Sequence, residues 1–394
     1  MRVLYVTNKP IYPTIDGGTV AMKNFLECLL NQQVDVKHLF LHTPKHPFQT
    51  GAYPSNLREA IQPEGVSINS KVTIWGAFYY LFKKGSYNIS RFRSSRMTEL
   101  IKDTLQNDHF DCVLLDSLYM TLYTDSIRSY FKGKIYLRTH NIEHKIWSDL
   151  AVNTKNLIKK IYLHKLAYDL KSYEYMALNK MDGILTLSTK DSAELANWNI
   201  SVAVKTVSVA ITTDLNKSNS CENTNFFHLG SMNWQPNIEA VERLVKLFPQ
   251  IKKKLPEAEL HIAGSNNPES VKLPNENGIF QDGYVSDLSE YCKKIGILVS
   301  PIQSGSGIRI KILEMMALGI PVITTDIGAQ GIDHRTSDCI VIANTETEIV
   351  QACIELATDD TKRNEIAFNG MNYIRKNHNI DTISKEIIEF IRNK

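Results

Sequence analysis

Cysteine is sparse in this chain and never paired for metal or disulfide. The six thiols among 394 residues are Cys28, Cys112, Cys221, Cys292, Cys339 and Cys353, with no Cys-x-x-Cys spacing. That pattern argues against a zinc site and against a disulfide framework, and suits buried, reduced thiols in a cytosolic protein. No stretch approaches the roughly 18 uninterrupted apolar residues of a membrane span. The apolar run in MRVLYVTNKP is too short for the core of a secretory signal and reads as a first strand. An excess of one charge is also missing: 45 Lys and Arg against 42 Asp and Glu leave a net charge of +3, which gives no case for nucleic acid as a partner. There is no Asp-x-Asp motif, no internal repeat and no low-complexity segment. What remains is the composition of a globular protein, 43% hydrophobic and 22% charged, long enough for two domains.

Strand-like and helix-like runs alternate along the chain, twice over. Arg2 to Thr7 is apolar, and a Pro/Gly loop from Pro10 to Gly18 follows. A helical pattern from about Thr19 to Leu30 turns Val20, Phe25, Leu26, Leu29 and Leu30 inward. Further strands are expected at 34–41, 111–116, 134–138, 183–187 and 202–209, with the longest helix at about 156–179. A polar stretch, Lys217 to Asn225, has a linker's composition. The rhythm then restarts, with strands at 226–229, 259–263, 279–281, 297–300, 322–325 and 340–342, and helices at 238–254 and 308–318. The tail, 361–392, reads as helical with a break near 377–379. This order predicts an α/β chain of two doubly wound, Rossmann-like domains facing a central cleft, 1–212 and 213–377, with the helix at about 378–394 packing back on the first. Ligands of such sheets bind outside the carboxyl ends of the strands.

The segment with most chemistry is Ser300 to Asp326, SPIQSGSGIRIKILEMMALGIPVITTD. A strand ends at Ser300-Pro301, and a loop with Gly305 and Gly307 leads into a helix bearing Arg309, Lys311 and Glu314. Glycines before a helix let backbone N–H groups approach an anion, and the helix end adds partial positive charge. Arg309 and Lys311 add two cations, so the site suits a diphosphate; a plain βαβ unit with solvated basic residues fits the residue chemistry as well.

The segment resembles the C-terminal signature of glycosyltransferase family 4, the retaining GT-B enzymes. It has the order strand, Ser-Pro, glycine-rich loop, Leu-Glu, Met-Ala, Gly-x-Pro-Val, and its loop is similar to a Gly-x-Arg-x-Lys subgroup. Other stretches fall in the family's order: Gly17-Gly18, Thr139-His140, Leu187-Ser188, Leu229-Gly230-Ser231, Ala263-Gly264 and Gly283-Tyr284-Val285.

The resemblance implies a nucleotide-sugar donor held mainly by the second domain. Glu314 would accept hydrogen bonds from the ribose diol, and Arg309 and Lys311 would bind the diphosphate and stabilise the leaving nucleotide. Gly305, Ser306, Gly307 and Ile308 would line the loop beside it, with Gly230 and Ser231 from the domain's first strand. Gly17 and Gly18 would close on the diphosphate from the first domain, His140 would touch the donor sugar, and Tyr284 and Val285 would lie near the base. The acceptor would be a glycan or a lipid-linked sugar in bacterial surface polysaccharide or glycoconjugate synthesis. No cofactor and no metal are expected, since lysine and arginine neutralise phosphate without one.

The chain departs from the family pattern twice. The acid expected seven residues before Glu314 is Ser306, and Ser231 to Asn237 carries no Arg or Lys. Arg309 and Lys311 would replace the missing cations, leaving Trp234 and Asn237 open for other roles; Trp234 equally suits packing between helices. A non-catalytic nucleotide-sugar-binding relative and a sugar-nucleotide epimerase are the alternative functions.

Two other clusters remain. His140, Asn141, Glu143 and His144 follow a strand and lack a clear third metal ligand, so a cleft loop is the better reading, with Glu143 an idea for an acceptor-side base. Basic and aromatic residues crowd Trp75 to Arg96, and Lys155, Lys159, Lys160 and Lys165 form a second basic run. Both suit an anionic membrane surface as much as a solvated helix with core aromatics. The expected location is the cytoplasm, with the chain peripheral on the inner face of the membrane.

Overall fold

A computed structural model describes residues 1–392 except 74, 77–78, 81–84, 213–222, 266–276, 286, 293, 306 and 334–337. Most of the expected linker, together with Cys221 and Ser306, therefore lies outside the described residues. The chain divides into two compact units, Met1–Val209 with Ile380–Lys394, and Ala210–Asn379.

Unit 1 is built on seven parallel strands: β1 (Arg2–Thr7), β2 (Asp35–His42), β3 (Glu64–Ser67), β4 (Cys112–Asp116), β5 (Lys134–Thr139), β6 (Gly183–Thr186) and β7 (Val204–Thr206). Their order is β3-β2-β1-β4-β5-β6-β7. The inner strands are continuous apolar runs: Val3, Leu4, Tyr5 and Val6 of β1 are wholly buried, as are Val113, Leu114 and Leu115 of β4. Helices on both faces require this, because neither side of such a strand meets water. The helices are α1 (Gly17–Asn31), α2 (Ser55–Ile61), α3 (Tyr87–Ser90), α4 (Ser95–Asn107), α5 (Thr124–Tyr130), α6 (Glu143–Asn153), α7 (Leu157–Leu178) and α8 (Thr189–Ala196). In α1 the inward face is Ala21, Met22, Phe25, Leu26 and Leu29; Val20 and Leu30, expected inward, are only half-buried.

Unit 2 has six parallel strands: β8 (Phe226–Leu229), β9 (Leu260–Ala263), β10 (Ile279–Gly283), β11 (Ile297–Ser300), β12 (Val322–Thr324) and β13 (Val341–Ile342). Their order is β10-β9-β8-β11-β12-β13. Its helices are α9 (Gln235–Lys254), α10 (Leu288–Cys292), α11 (Ile310–Ala317), α12 (Glu346–Thr358) and α13 (Asp360–Asn377). The chain then turns at His378-Asn379 into α14 (Ile380–Arg392), which belongs to unit 1. There Tyr136 Oη donates to Ile391 O at 2.9 Å, and Asn31 donates to Asp381 at 2.9 Å.

In each unit the strand order reverses beside the first strand, between β1 and β4 and between β8 and β11. In doubly wound sheets the loops leaving two such strands diverge to opposite sides, and ligands bind at that carboxyl edge. Gly17-Gly18 follows β1, Gly230-Ser231 follows β8, and the Gly305-Gly307 loop follows β11.

Candidate functional site

In unit 2 the loops on either side of the switch point meet through side chains from α11. Lys311 Nζ donates to Leu229 O at 2.7 Å and to Asn237 Oδ1 at 2.9 Å. Asn237, nearly fully buried, turns its amide to Ser231 O at 2.9 Å. The Arg309 guanidinium is buried, donates from Nη1 to Gly307 O at 2.6 Å, and lies 5.1 Å above the Trp234 ring. Trp234 is thus a stacking platform for Arg309 rather than packing between helices. Glu314 is half-buried one turn beyond Lys311, on the same side of α11.

Burial pushes the Lys311 amine down to about 7, and the Arg309 charge adds to the shift. Burial likewise pushes Arg309 down to about 10. Two cations thus stand together at the start of α11, where no side chain caps the helix. An anion at this point would gain their charges and the backbone N–H groups of the first turn.

Close backbone approach extends along the sheet edge. Gly230 N donates to Ala263 O at 2.9 Å and Gly264 N to Gly283 O at 2.7 Å. Gly264 has φ +143°, and a Cβ there would lie 1.9 Å from Gly230 O. Only glycine lets the ends of β8, β9 and β10 lie flush. Tyr284 is exposed and Val285 half-buried just past β10, two strands from β8. Ile308 is half-buried and packs under Gly331. Ser306 lies outside the described residues.

Unit 1 has its own polar centre at the switch point. Asp116, at the carboxyl end of β4, is wholly buried and accepts hydrogen bonds from Tyr5 Oη, from Arg138 Nη1 at 3.0 Å and from His140 Nε2 at 2.5 Å. Burial alone would raise its pKa; the Arg138 and His140 charges, with the bonds from His140 and Tyr5, outweigh this and hold it below the usual carboxylate range. An ionised carboxylate only accepts, so His140 commits its Nε2–H to Asp116 and leaves Nδ1 for a ligand.

At the start of α1, Asp16 caps the helix by accepting from Thr19 N at 2.8 Å and pairs with Lys9 at 2.7 Å and His46 at 2.9 Å. A Cβ on Gly18 would lie 2.6 Å from Lys9 Nζ, the far end of a flexible side chain that can shift aside; at Gly17 nothing lies within 4 Å.

Glu143 opens α6 and accepts from Tyr119 Oη at 3.0 Å, while buried Glu174 accepts from the Glu143 amide at 3.0 Å and from His144 Nδ1 at 2.9 Å. Burial, aided by the Glu174 charge, pushes Glu143 up to about 7 against the Tyr119 hydrogen bond. His144 is thus a buried structural partner of Glu174. Among the described residues, no three of His, Cys, Asp or Glu gather in a metal-holding group.

Sequence reasoning missed Asp116, Arg138, Tyr5, Lys9, Asp16 and His46, and it left Asn237 without a role. The available signal for Asp116 and Arg138 was a charged residue inside an apolar strand near its carboxyl end.

Two doubly wound parallel units define the GT-B fold, and the second carries cations and open glycine backbone at its switch point. Residues 223–359 match the family model Glycosyl transferases group 1. A 44.6 kDa uncharacterized protein in the cps region of Klebsiella pneumoniae is 24% identical over 301 residues, covering 73% of this chain and 76% of that protein. Among solved structures, Staphylococcus aureus TarM with fondaparinux, alpha-GlcNAc-glycerol and UDP aligns over 100% of both chains, with TM-score 0.69 and 11% identity. HepE of Anabaena with UDP and glucose aligns over 100% of both chains with TM-score 0.67 and 12% identity. WaaG, a glycosyltransferase involved in lipopolysaccharide biosynthesis, does so with TM-score 0.67 and 13% identity. The structural likenesses carry the fold, and the family match carries the enzyme class. The fold is GT-B, and the match over residues 223–359 makes the chain a glycosyltransferase by enzyme class.

Proposed function

We propose that the enzyme transfers a sugar, with retention of anomeric configuration, from a nucleotide-sugar to a glycan or lipid-linked acceptor in bacterial surface polysaccharide synthesis. The observation that carries this is the pair Arg309 and Lys311 at the uncapped start of α11, set against the Gly230 loop. Lys311 has three N–H donors, of which Leu229 O and Asn237 Oδ1 engage two, so the third can reach a diphosphate oxygen. Arg309 and the α11 amides offset the charge that develops as the nucleotide leaves. Within unit 2, Glu314 takes the ribose hydroxyls, and Tyr284 and Val285 flank the base. The departing phosphate oxygen takes the acceptor's proton, so the step needs no side-chain base. UDP in the TarM and HepE structures supports a nucleotide-sugar donor. The cps-region relative supports a polysaccharide pathway, and a lipid-linked acceptor in such a pathway would be met at the inner membrane face.

Nucleotide release is the direct test, measured from a panel of UDP-, GDP- and other nucleotide-sugars. One donor should hydrolyse slowly, and Lys311→Ala should abolish this. Absence of both release and nucleoside diphosphate binding refutes the donor site. Activity should persist in EDTA; complete loss restored by manganese refutes metal independence, and a product of inverted configuration refutes retention.

A further inference from the structure

We propose that unit 1 docks on an anionic lipid bilayer through the tip and outer face of the hairpin formed by α6 and α7. The helix α7 is apolar on two faces. Leu163, Leu166, Leu170, Ala177 and Leu178 are buried, and Leu170 and Ala177 share a cluster with Ile89, Leu118 and Trp147. On the outer side Leu157, Ile158, Ile161 and Tyr168 are 75%, 83%, 71% and 71% exposed, and Val152 at the end of α6 is 60% exposed. Single exposed aliphatics are ordinary, but a contiguous group at a hairpin tip marks an interaction surface.

Lysines dominate the charge around this group. From Leu150 to Tyr168 there are four lysines, Lys155, Lys159, Lys160 and Lys165, and no acidic residue. Lys165 pairs with Asp169, which leaves Lys155, Lys159 and Lys160 among the exposed aliphatics at the tip. Aliphatic side chains enter the acyl boundary while lysines meet phosphate headgroups, the arrangement of an interfacial helix. Among the described residues no helix is long and apolar enough to cross a membrane. In α7 itself Lys159, Lys160, Lys165, Asp169, Lys171 and Glu174 make lying on the surface the available mode.

A second aromatic element adjoins the hairpin. Tyr87 Oη accepts from Thr73 N at 2.9 Å, tying the segment that carries Trp75, 84% exposed, to α3. The short α3 packs on α7, and Tyr162 of α7 feels the electrostatic influence of Tyr87 and Arg91. Of the first basic-aromatic run, Phe78, Phe82, Lys83 and Lys84 lie outside the described residues, while Tyr87 adjoins α7 and Trp75 is an exposed tryptophan of the kind that favours a bilayer interface. A second copy of the chain fits this face poorly, because a two-fold pairing would set Lys155, Lys159 and Lys160 against themselves.

The inference extends the membrane-presented acceptor named above, and it uses none of the residues assigned to the donor. It is tested by sedimenting the full chain with vesicles of phosphatidylglycerol and phosphatidylcholine, and with phosphatidylcholine alone. The protein should bind the anionic vesicles at low salt, weaken with added salt, and leave the neutral ones unbound. The Ile158→Asp/Ile161→Asp protein should bind at least about 100-fold more weakly. The Lys155→Ala/Lys159→Ala/Lys160→Ala protein should lose roughly 100-fold at low salt. Nucleotide release from the donor should be unchanged in both, which separates failure of this surface from failure of the donor reading. Three results overturn the proposal: no binding of the unaltered chain to anionic vesicles at low salt, undiminished binding by the Asp pair, or a dimer in light scattering that the Asp pair dissolves.

Discussion

Replacing Lys311 by methionine probes the donor site most sharply, because this amine is held in an unusual state before any ligand arrives. Burial, reinforced by Arg309, lowers it from 10.5 to about 7. A diphosphate beside it would favour the charged form, so binding above pH 7 must draw in a proton. Each pH unit above 7 then weakens binding up to about tenfold, or about 1.4 kcal/mol. A phosphate's own ionisation near pH 6 falls below this window. Without nucleotide the sign runs the other way for folding. Between about 7 and 10.5 the unfolded chain keeps a proton that the folded chain has released, so stability rises with pH, by roughly 5 kcal/mol at most. The assay is calorimetry of nucleoside diphosphate binding from pH 7 to 9, in buffers of different ionisation heat. The unaltered enzyme should take up close to one proton at the upper end. Lys311→Met should bind roughly 100-fold more weakly, without that uptake. The same variant, free of nucleotide, should be at least as stable as the parent at pH 6, since it removes a buried charge. Affinity that is flat with pH and free of proton uptake, or binding by the variant within threefold, refutes the reasoning.

Asp116→Asn should destabilise unit 1 by about 3–5 kcal/mol in thermal or urea unfolding, because it strands the buried Arg138 charge; a loss below about 1 kcal/mol contradicts the network. Glu143, raised from 4.5 to about 7, keeps a proton in the folded chain that the unfolded chain has lost, so stability falls as pH rises across that window. Glu143→Gln should then gain up to roughly 3 kcal/mol over the parent at pH 8 and little at pH 4, and a difference that does not change with pH rejects the assignment. Unchanged turnover in that variant would dismiss Glu143 as an acceptor-side base. Gly264→Ala forces a Cβ into Gly230 O, so it should lower stability by several kcal/mol and weaken nucleotide binding in any protein that still folds; an unchanged melting temperature refutes the contact.

Most of the sheet was legible because parallel strands covered on both faces must be apolar throughout. Phe226–Leu229 and Ile297–Ser300 stand where the apolar runs placed them. Strand β3 was not legible, since Glu64–Ser67 is a sheet edge with no fully buried residue. Helix α12 was missed although Thr345 and Glu348 form a capping box at its start, a signal within the sequence that went unused. The cations of the site were visible as residues but not as an arrangement. That Arg309 stacks on Trp234, and that Lys311 reaches back to β8, depends on contacts across more than seventy positions, which no local pattern encodes.

The stretch Ser231 to Asn237 shows how a missing charge can still serve a charged site. It carries no cation, yet Asn237 accepts from Lys311 and donates to Ser231 O, while Trp234 lies beneath Arg309. A cation on this loop would repel the pair already on α11; a neutral amide and an indole instead fix where those two charges point. The same amide lies so close to Gly230 that a Cβ there would meet it at 2.4 Å. Glycine, asparagine and lysine are therefore coupled, and exchanging any one alone should disturb the other two. Asn237→Asp makes the point separable: a carboxylate would pair with Lys311, raise its pKa back toward 10.5 and occupy it. Nucleotide binding should then weaken and lose its proton uptake, while the carboxylate, unable to donate to Ser231 O, leaves the apoprotein no more stable than the parent. Weaker binding with the uptake intact would mean that Asn237 does not govern the charge of Lys311.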